Sequence, residues 1–159
     1  MTDVDNGTIL ILDDDEIVTR TLEAVLKLET QWSVHLFNRP SDALASLEER
    51  TYHAVVSDFL MPEMDGVRFL GQVKQAQPVA SRILLTGYAD KQNAIRSINE
   101  VGLYHYMEKP WENDVLLMVL RNALERAKLV LELDESMKKL VDKDRSLEQM
   151  RSRLLKAIL

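Results

Sequence analysis

Short apolar runs alternate with helix-like segments over the first 125 residues of the chain. Runs rich in Ile, Leu and Val are typical of strands that are buried on both faces of a parallel sheet. The segments between them place apolar residues at helical spacing, which indicates amphipathic helices. We predict strands at 8–12, 33–37, 54–58, 82–86 and 104–107, and helices at 16–28, 41–47, 65–75, 90–99 and from about 111–113 onward. This alternation predicts an α/β fold, a doubly wound sheet of five parallel strands with helices on both faces.

The last helical pattern continues beyond the alternating part, because neither Pro nor Gly occurs from residue 111 to residue 159. Leu at every d position of successive heptads is typical of a parallel two-stranded coiled coil. We therefore predict that the last helix extends without a break into a coiled coil, with a parallel homodimer through 126–159. Asp144 and Arg151 would occupy a positions at a cost in stability, and Lys143 would face Glu148 across the dimer. A single solvated helix is the alternative, although isolated helices are marginal in water. The heptad leucines are Leu133, Leu140, Leu147 and Leu154.

The distribution of charge places a boundary near residue 125. The chain carries a net charge of −6, yet residues 126–159 hold nine basic and six acidic residues and so are net positive. We predict two parts, a domain at 1–125 and a helical extension at 126–159. The acidic domain argues against nucleic acid as a direct partner, and the heptads lack the dense basic region that a DNA-binding leucine zipper needs. The chain has no Cys and no long apolar span, so we expect a cytoplasmic protein without disulfides or a membrane segment.

Polar side chains follow four of the predicted strands at the point where each strand ends. Asp13 and Asp14 follow the first strand, Asp58 ends the third, Thr86 ends the fourth, and Lys109 follows the fifth. The carboxyl ends of parallel strands meet at one edge of a sheet, where such folds place their chemistry. Mg²⁺ is usually held by one or two carboxylates together with phosphate oxygens, so Asp14 and Asp58 are candidate direct ligands and Asp13 a ligand through water. A carboxylate also takes up phosphoryl groups as a nucleophile, with Lys109 and Thr86 suited to bind the phosphoryl oxygens.

Ordinary structural roles are the alternative for several of these residues. We expect Asp15 to cap the helix that follows it and Asp65 to serve a turn rather than a ligand role. Taken alone, Thr86 would be an ordinary residue at a strand end and Lys109 a solvated lysine in a loop. Tyr106 would simply pack in the core or on the surface. Their shared location favours the functional interpretation.

Four motifs occur in order along this part of the chain, and together they are highly specific: LDDDE at 12–16, DFLMPEMDG at 58–66, LTG at 85–87 and KP at 109–110. On these motifs, residues 8 to about 125 resemble a receiver domain of bacterial two-component response regulators. The resemblance implies a flavodoxin-like fold and transfer of a phosphoryl group from a sensor histidine kinase, or a phosphotransfer protein, to Asp58. It also implies Mg²⁺ on Asp14, Asp58 and the backbone carbonyl of Leu60, with Asp13 in the same acidic pocket, and a cis peptide between Lys109 and Pro110.

The resemblance further implies how the phosphorylated state would be transmitted. Tyr106 matches the aromatic switch position of the family, so Thr86 would move toward the phosphoryl group and Tyr106 would follow it inward. The surface formed by 90–99, 104–107 and the helix after 112 would change, and the coiled coil would pass this change to an output domain absent from this chain. Leu60 and Tyr88 are bulky and flank the phosphoryl position, so we hypothesise that they slow hydrolysis of the phosphorylated form.

Two further resemblances are looser. The segment from Thr86 to Trp111 is similar to receivers that precede signalling enzymes such as cyclic-di-GMP phosphodiesterases, although none of their output motifs occurs here. The three aspartates at 13–15 are also similar to the nucleophile motif of haloacid-dehalogenase-type phosphatases, which leaves an enzyme that uses Asp13 as the alternative. Turnover of a small phosphate ester would distinguish that enzyme from a receiver, which we expect not to be an enzyme beyond phosphorylation and dephosphorylation at Asp58.

Overall fold

The computed structural model of the chain describes residues 6–87, 92, 94–95, 100–142 and 146–159. Its strands are β1 (Thr8–Leu12), β2 (Ser33–Phe37), β3 (Ala54–Asp58), β4 (Ser81–Thr86) and β5 (His105–Glu108). They form one parallel sheet in the order β2-β1-β3-β4-β5. Each predicted strand is present within one residue of its expected bounds, and the predicted fold class is confirmed.

Helices connect the strands. They are α1 (Glu16–Glu29), α2 (Pro40–Glu49), α3 (Gly66–Ala76), α4 (Asn113–Val141) and α5 (Ser146–Ile158). The helix predicted at 90–99 falls largely outside the described residues. None of the described helices combines the length and the hydropathy that crossing a membrane requires.

Two apolar cores cover the two faces of the sheet, because alternate residues of a strand point to opposite faces. Ile9 and Ile11 of β1 pack with α1 and α4, whereas Leu10 and Leu12 pack with α2 and α3. Strands β3 and β4 are buried along their whole length, and β1 is buried from Ile9 to Leu12. The polar residues at the ends of these strands are therefore the positions at which chemistry reaches the surface.

The prediction of one unbroken C-terminal helix is wrong. Helix α4 ends at Val141, and α5 packs back against it. The side chain of Arg151 donates to Asp134 at 2.8 Å across this helical hairpin. Residues 17 apart lie about 25 Å apart on a straight helix, so this contact requires the chain to reverse.

The hairpin divides the heptad leucines between two helices. Leu133 and Leu140 lie on α4, and Leu147 and Leu154 lie on α5. Leu133, Leu140 and Leu154 are exposed. Of the other predicted coil positions, Lys143 and Asp144 lie outside the described residues, whereas Glu148 and Arg151 lie on α5. The homodimer through 126–159 stays a prediction.

Candidate functional site

Three carboxylates converge at the carboxyl edge of the sheet. Strands β1 and β3 are neighbours, with Leu12 opposite Ser57, so the residues that follow, Asp13 and Asp58, lie side by side. One carboxylate oxygen from each of Asp13, Asp14 and Asp58 lies within 4.8 Å of the others. Asp13 is 1% exposed and Asp58 8% exposed, whereas Asp14 faces solvent. Two of the three acids are therefore buried together while the third opens the cluster to solvent.

Lys109 bridges the two buried acids. Its Nζ lies 2.7 Å from Asp13 Oδ2 and 3.0 Å from Asp58 Oδ1. The lysine is held there because it follows β5 directly and its backbone N–H donates to the Thr86 carbonyl at 2.8 Å. The peptide between Lys109 and Pro110 is cis, which confirms that expectation.

Burial controls the protonation of this cluster. Burial raises the pKa of Asp58 to about 6, although the hydrogen bond from Lys109 acts in the opposite direction. Burial also raises the pKa of Asp13, against the same lysine. For Lys109, burial works against the charged form, but the hydrogen bonds to Asp13 and Asp58 raise its pKa overall. At neutral pH the lysine is charged and Asp58 is mostly ionised.

The donor set fits a divalent oxygen-seeking cation. Three carboxylates face a single ammonium group, so the cluster carries excess negative charge, and carboxylate oxygens are the ligands that Mg²⁺ prefers. The oxygens of Asp13 accept hydrogen bonds from Lys109 and from the backbone N–H of Asp15. Both carboxylate oxygens of Asp13 thus already accept a hydrogen bond. This suits Asp13 to contact a metal ion through a water molecule better than to bind it directly.

Two residues that the sequence interpretation did not assign shape the site. The side chain of Asn38 donates to the Asp13 carbonyl at 2.8 Å and so fixes the backbone at the end of β1. Asn38 follows β2 directly, so the strand-end criterion that identified the acids also applied to it. Gly66 passes so close to the Asp58 carbonyl oxygen that a Cβ there would overlap it.

Asp15 has the capping role expected of it, whereas Asp65, expected in a turn, also caps a helix. Asp15 caps α1 by accepting from the N–H of Ile17 at 2.9 Å. Asp65 caps α3 by accepting from the N–H of Arg68 at 2.8 Å.

The remaining predicted residues surround the acids. Thr86, fully buried at the end of β4, donates through its hydroxyl to the Met107 carbonyl at 3.4 Å. Tyr106 is half-buried on β5, and its ring stacks beside that of His105 next to an open cavity of about 490 Å³. Leu60, in the loop after β3, is 59% exposed. Tyr88 lies outside the described residues.

Residues 9–121 match the family model described as the response regulator receiver domain. The chain belongs to this family. Among solved structures, the receiver is similar to the signal receiver domain of an HD domain-containing protein from Pseudomonas fluorescens. The two share 33% identity with a TM-score of 0.76, over 83% of this chain and 96% of the other.

Curated relatives of the receiver are longer proteins. The hydrogenase transcriptional regulatory protein HoxA of Bradyrhizobium diazoefficiens is 33% identical over 80% of this chain and 26% of its own length. A putative response regulator NtrX-like protein of Rickettsia bellii is 33% identical over 85% of this chain and 28% of its own length. The chain thus spans little more than a quarter of these relatives.

The haloacid-dehalogenase-like phosphatase is not supported. The family match covers the whole acidic site, and Asp13, the nucleophile in that hypothesis, is buried and hydrogen-bonded to Lys109 and Asp15. Residues 9–121 form the receiver domain of a two-component response regulator, a signalling domain of the phosphorelay type.

Proposed function

We propose that this receiver accepts a phosphoryl group on Asp58, with Mg²⁺ as cofactor and a sensor histidine kinase or phosphotransfer protein as donor. The observation that carries the proposal is the position of Lys109, whose ammonium contacts both Asp13 and Asp58 beside a third carboxylate. A lysine placed at the nucleophile is suited to neutralise the oxygens of an incoming phosphoryl group.

The transfer forms one bond and breaks one. A carboxylate oxygen of Asp58 bonds to phosphorus while the bond from phosphorus to the donor histidine nitrogen breaks and leaves its electron pair on that nitrogen. The nucleophile must be ionised, which the pKa of about 6 permits at neutral pH. The raised pKa also makes the carboxylate more basic than an exposed aspartate.

Mg²⁺ would be held by Asp14, Asp58 and the backbone carbonyl of Leu60, with Asp13 acting through water. The ion supplies charge neutralisation for the transferred group. The three carboxylates within 4.8 Å of one another support this assignment. Their net negative charge would repel a phosphate donor, and a bound cation would offset this repulsion.

Thr86 and Tyr106 are the proposed switch. The Thr86 hydroxyl donates only weakly to Met107, at 3.4 Å, so a phosphoryl oxygen on Asp58 offers it a stronger acceptor. The Tyr106 ring borders an open cavity formed by β5 and the start of α4, which gives it space to change position. Residues 126–159 would then pass the phosphorylated state to an output domain. In this proposal the chain acts as a homodimer and does not itself contact nucleic acid.

Intact-mass spectrometry after incubation with Mg²⁺ and acetyl phosphate tests the proposal. The expected result is an adduct of about 80 Da, for one phosphoryl group, that is lost in Asp58→Asn. Asp42→Asn, at an exposed position on α2, is the matched control and should retain the adduct. Lys109→Gln should form it more slowly. An adduct that persists in Asp58→Asn, or that forms equally well in EDTA, would contradict the assignment.

A further inference from the structure

The pole of the domain opposite Asp58 carries two arginines whose hydrogen-bonding partners are mainly backbone carbonyls. Arg82, at the start of β4, is 1% exposed and donates to the carbonyls of Pro78, Ala80, Val101 and Gly102. Arg126 of α4 lies over the ring of Tyr104 and donates to the Ser81 hydroxyl. This cluster lies about one strand length, roughly 17 Å, from the acidic site.

Both arginines also hold the end of α5. Arg126 Nη2 donates to the Ile158 carbonyl at 2.9 Å, and Arg82 Nη2 donates to the Leu159 backbone oxygen at 3.3 Å. Hydrogen bonds donated by a charged guanidinium are stronger than those between neutral groups, so these two contacts hold α5 against the domain. Burial lowers the pKa of Arg82 to about 10, with repulsion from Arg126 adding to the effect.

A second contact fixes α5 along its length. Arg151 donates to Asp134 through both Nε and Nη2 at 2.8 Å, and both side chains are largely shielded from solvent. Arg151 and Leu155 of α5 also line a cavity of about 430 Å³ together with Lys74 and Pro78 at the base of α3. Hydrogen bonds and an ion pair therefore hold the returning helix at two separate places, its end by Arg82 and Arg126 and its middle by Asp134.

The sequence of this region also fits a different conformation. No Gly or Pro interrupts residues 111–159, and the leucines at 133, 140, 147 and 154 keep a strict heptad. The docked hairpin does not use that pattern, since it leaves Leu133, Leu140 and Leu154 between 40% and 56% exposed. On one straight helix the four leucines would lie along one side, where they could pack against those of a second chain.

We propose that α5 is a reversible latch, docked on the pole opposite Asp58 by Arg82, Arg126 and Asp134, and that its release lets α4 and α5 join into one extended coiled-coil helix. Docking places the two halves of the heptad on antiparallel helices and so prevents a parallel coil from forming beyond residue 141. The latch thereby controls whether 126–159 dimerises along its whole length. This inference does not depend on whether Asp58 accepts a phosphoryl group.

The distance between α5 and the domain distinguishes the two conformations. The chain has no Cys, so Gln75→Cys and Ala157→Cys provide two unique sites for spin labels on exposed positions of α3 and α5. Ile158 contacts Arg126 in the docked form, whereas 32 residues of continuous helix would separate them by about 48 Å. Pulsed electron paramagnetic resonance should give mainly a short distance between the labels at positions 75 and 157 when the chain carries no further substitution.

Arg126→Gln and, independently, Asp134→Lys should shift the distribution to distances above about 40 Å, with helicity by circular dichroism retained. Arg121→Gln, which removes the same charge from an exposed position of α4, should leave the short distance in place. Arg151→Glu added to Asp134→Lys should restore docking, because this pair meets only in the hairpin. A long distance in the unmutated chain, no shift in either variant, or a shift accompanied by loss of helicity would overturn the proposal.

Discussion

Neutralising Asp58 should stabilise the domain, because the fold holds this carboxylate where its charge is unfavourable. The pKa of Asp58 is about 6, against 3.8 for an unperturbed aspartate, and burial is the main cause. A shift of about two units corresponds to roughly 3 kcal/mol of preference for the protonated form. Lys109 remains paired with Asp13 at 2.7 Å in Asp58→Asn, so the variant does not leave the lysine without a partner. We expect the variant to gain about 1–3 kcal/mol in free energy of unfolding near neutral pH.

The gain should depend on pH with a definite sign. The folded state has the higher pKa, so ionised Asp58 destabilises the fold above about pH 6, and this penalty fades as the pH falls toward 3.8. Urea unfolding in EDTA, at pH values from about 4 to 8, measures the difference between wild type and Asp58→Asn. Glu135→Gln, which removes a charge from an exposed position of α4, should show no such trend. Equal stabilities near pH 7.5, or a difference that grows as the pH falls, would refute the argument from burial.

Three further predictions concern the same site. Mg²⁺ at about 100 times its dissociation constant should stabilise the wild type by about 2.7 kcal/mol in thermal unfolding, and Asp14→Asn should lose most of this gain; an equal gain in both would remove Asp14 from the ligand set. Gly66→Ala should cost at least about 2 kcal/mol in urea unfolding, since its Cβ overlaps the Asp58 carbonyl oxygen, and wild-type stability would show that the loop yields easily. Leu60→Asn should speed loss of the phosphoryl group, followed by intact mass, because a smaller polar side chain admits water; an unchanged rate would contradict the shielding hypothesis.

Local patterns were sufficient to predict most of the fold and which polar residues lie at the carboxyl edge of the sheet. Apolar runs and helical spacing are properties of adjacent residues, so the strands and most helices follow from them within a few positions. The rule that parallel strands present their carboxyl ends at one edge then brings Asp13, Asp58, Thr86 and Lys109 together without further information. The structure confirms that these four residues share that edge.

The C-terminal region shows where local patterns are insufficient. The heptad is real as a sequence pattern, but it does not reveal whether the helix extends or reverses. The reversal depends on contacts between residues far apart in sequence, such as Arg126 with Ile158 and Arg151 with Asp134. No periodicity encodes such contacts, because they connect one helix to another rather than one turn to the next.

The sequence by itself thus determined the sheet, the residues at its carboxyl edge and the family that those residues indicate, because each depends on short-range spacing. Only the tertiary structure decided the pKa of Asp58, the backbone conformation around the acids and the position of α5. Burial raises the pKa of Asp58, and the side chain of Asn38 and the close passage of Gly66 fix the backbone around the acids. The position of α5 depends on hydrogen bonds that Arg82 and Arg126 donate to the backbone oxygens of Leu159 and Ile158. These are properties of how segments pack against one another, and packing is decided in three dimensions.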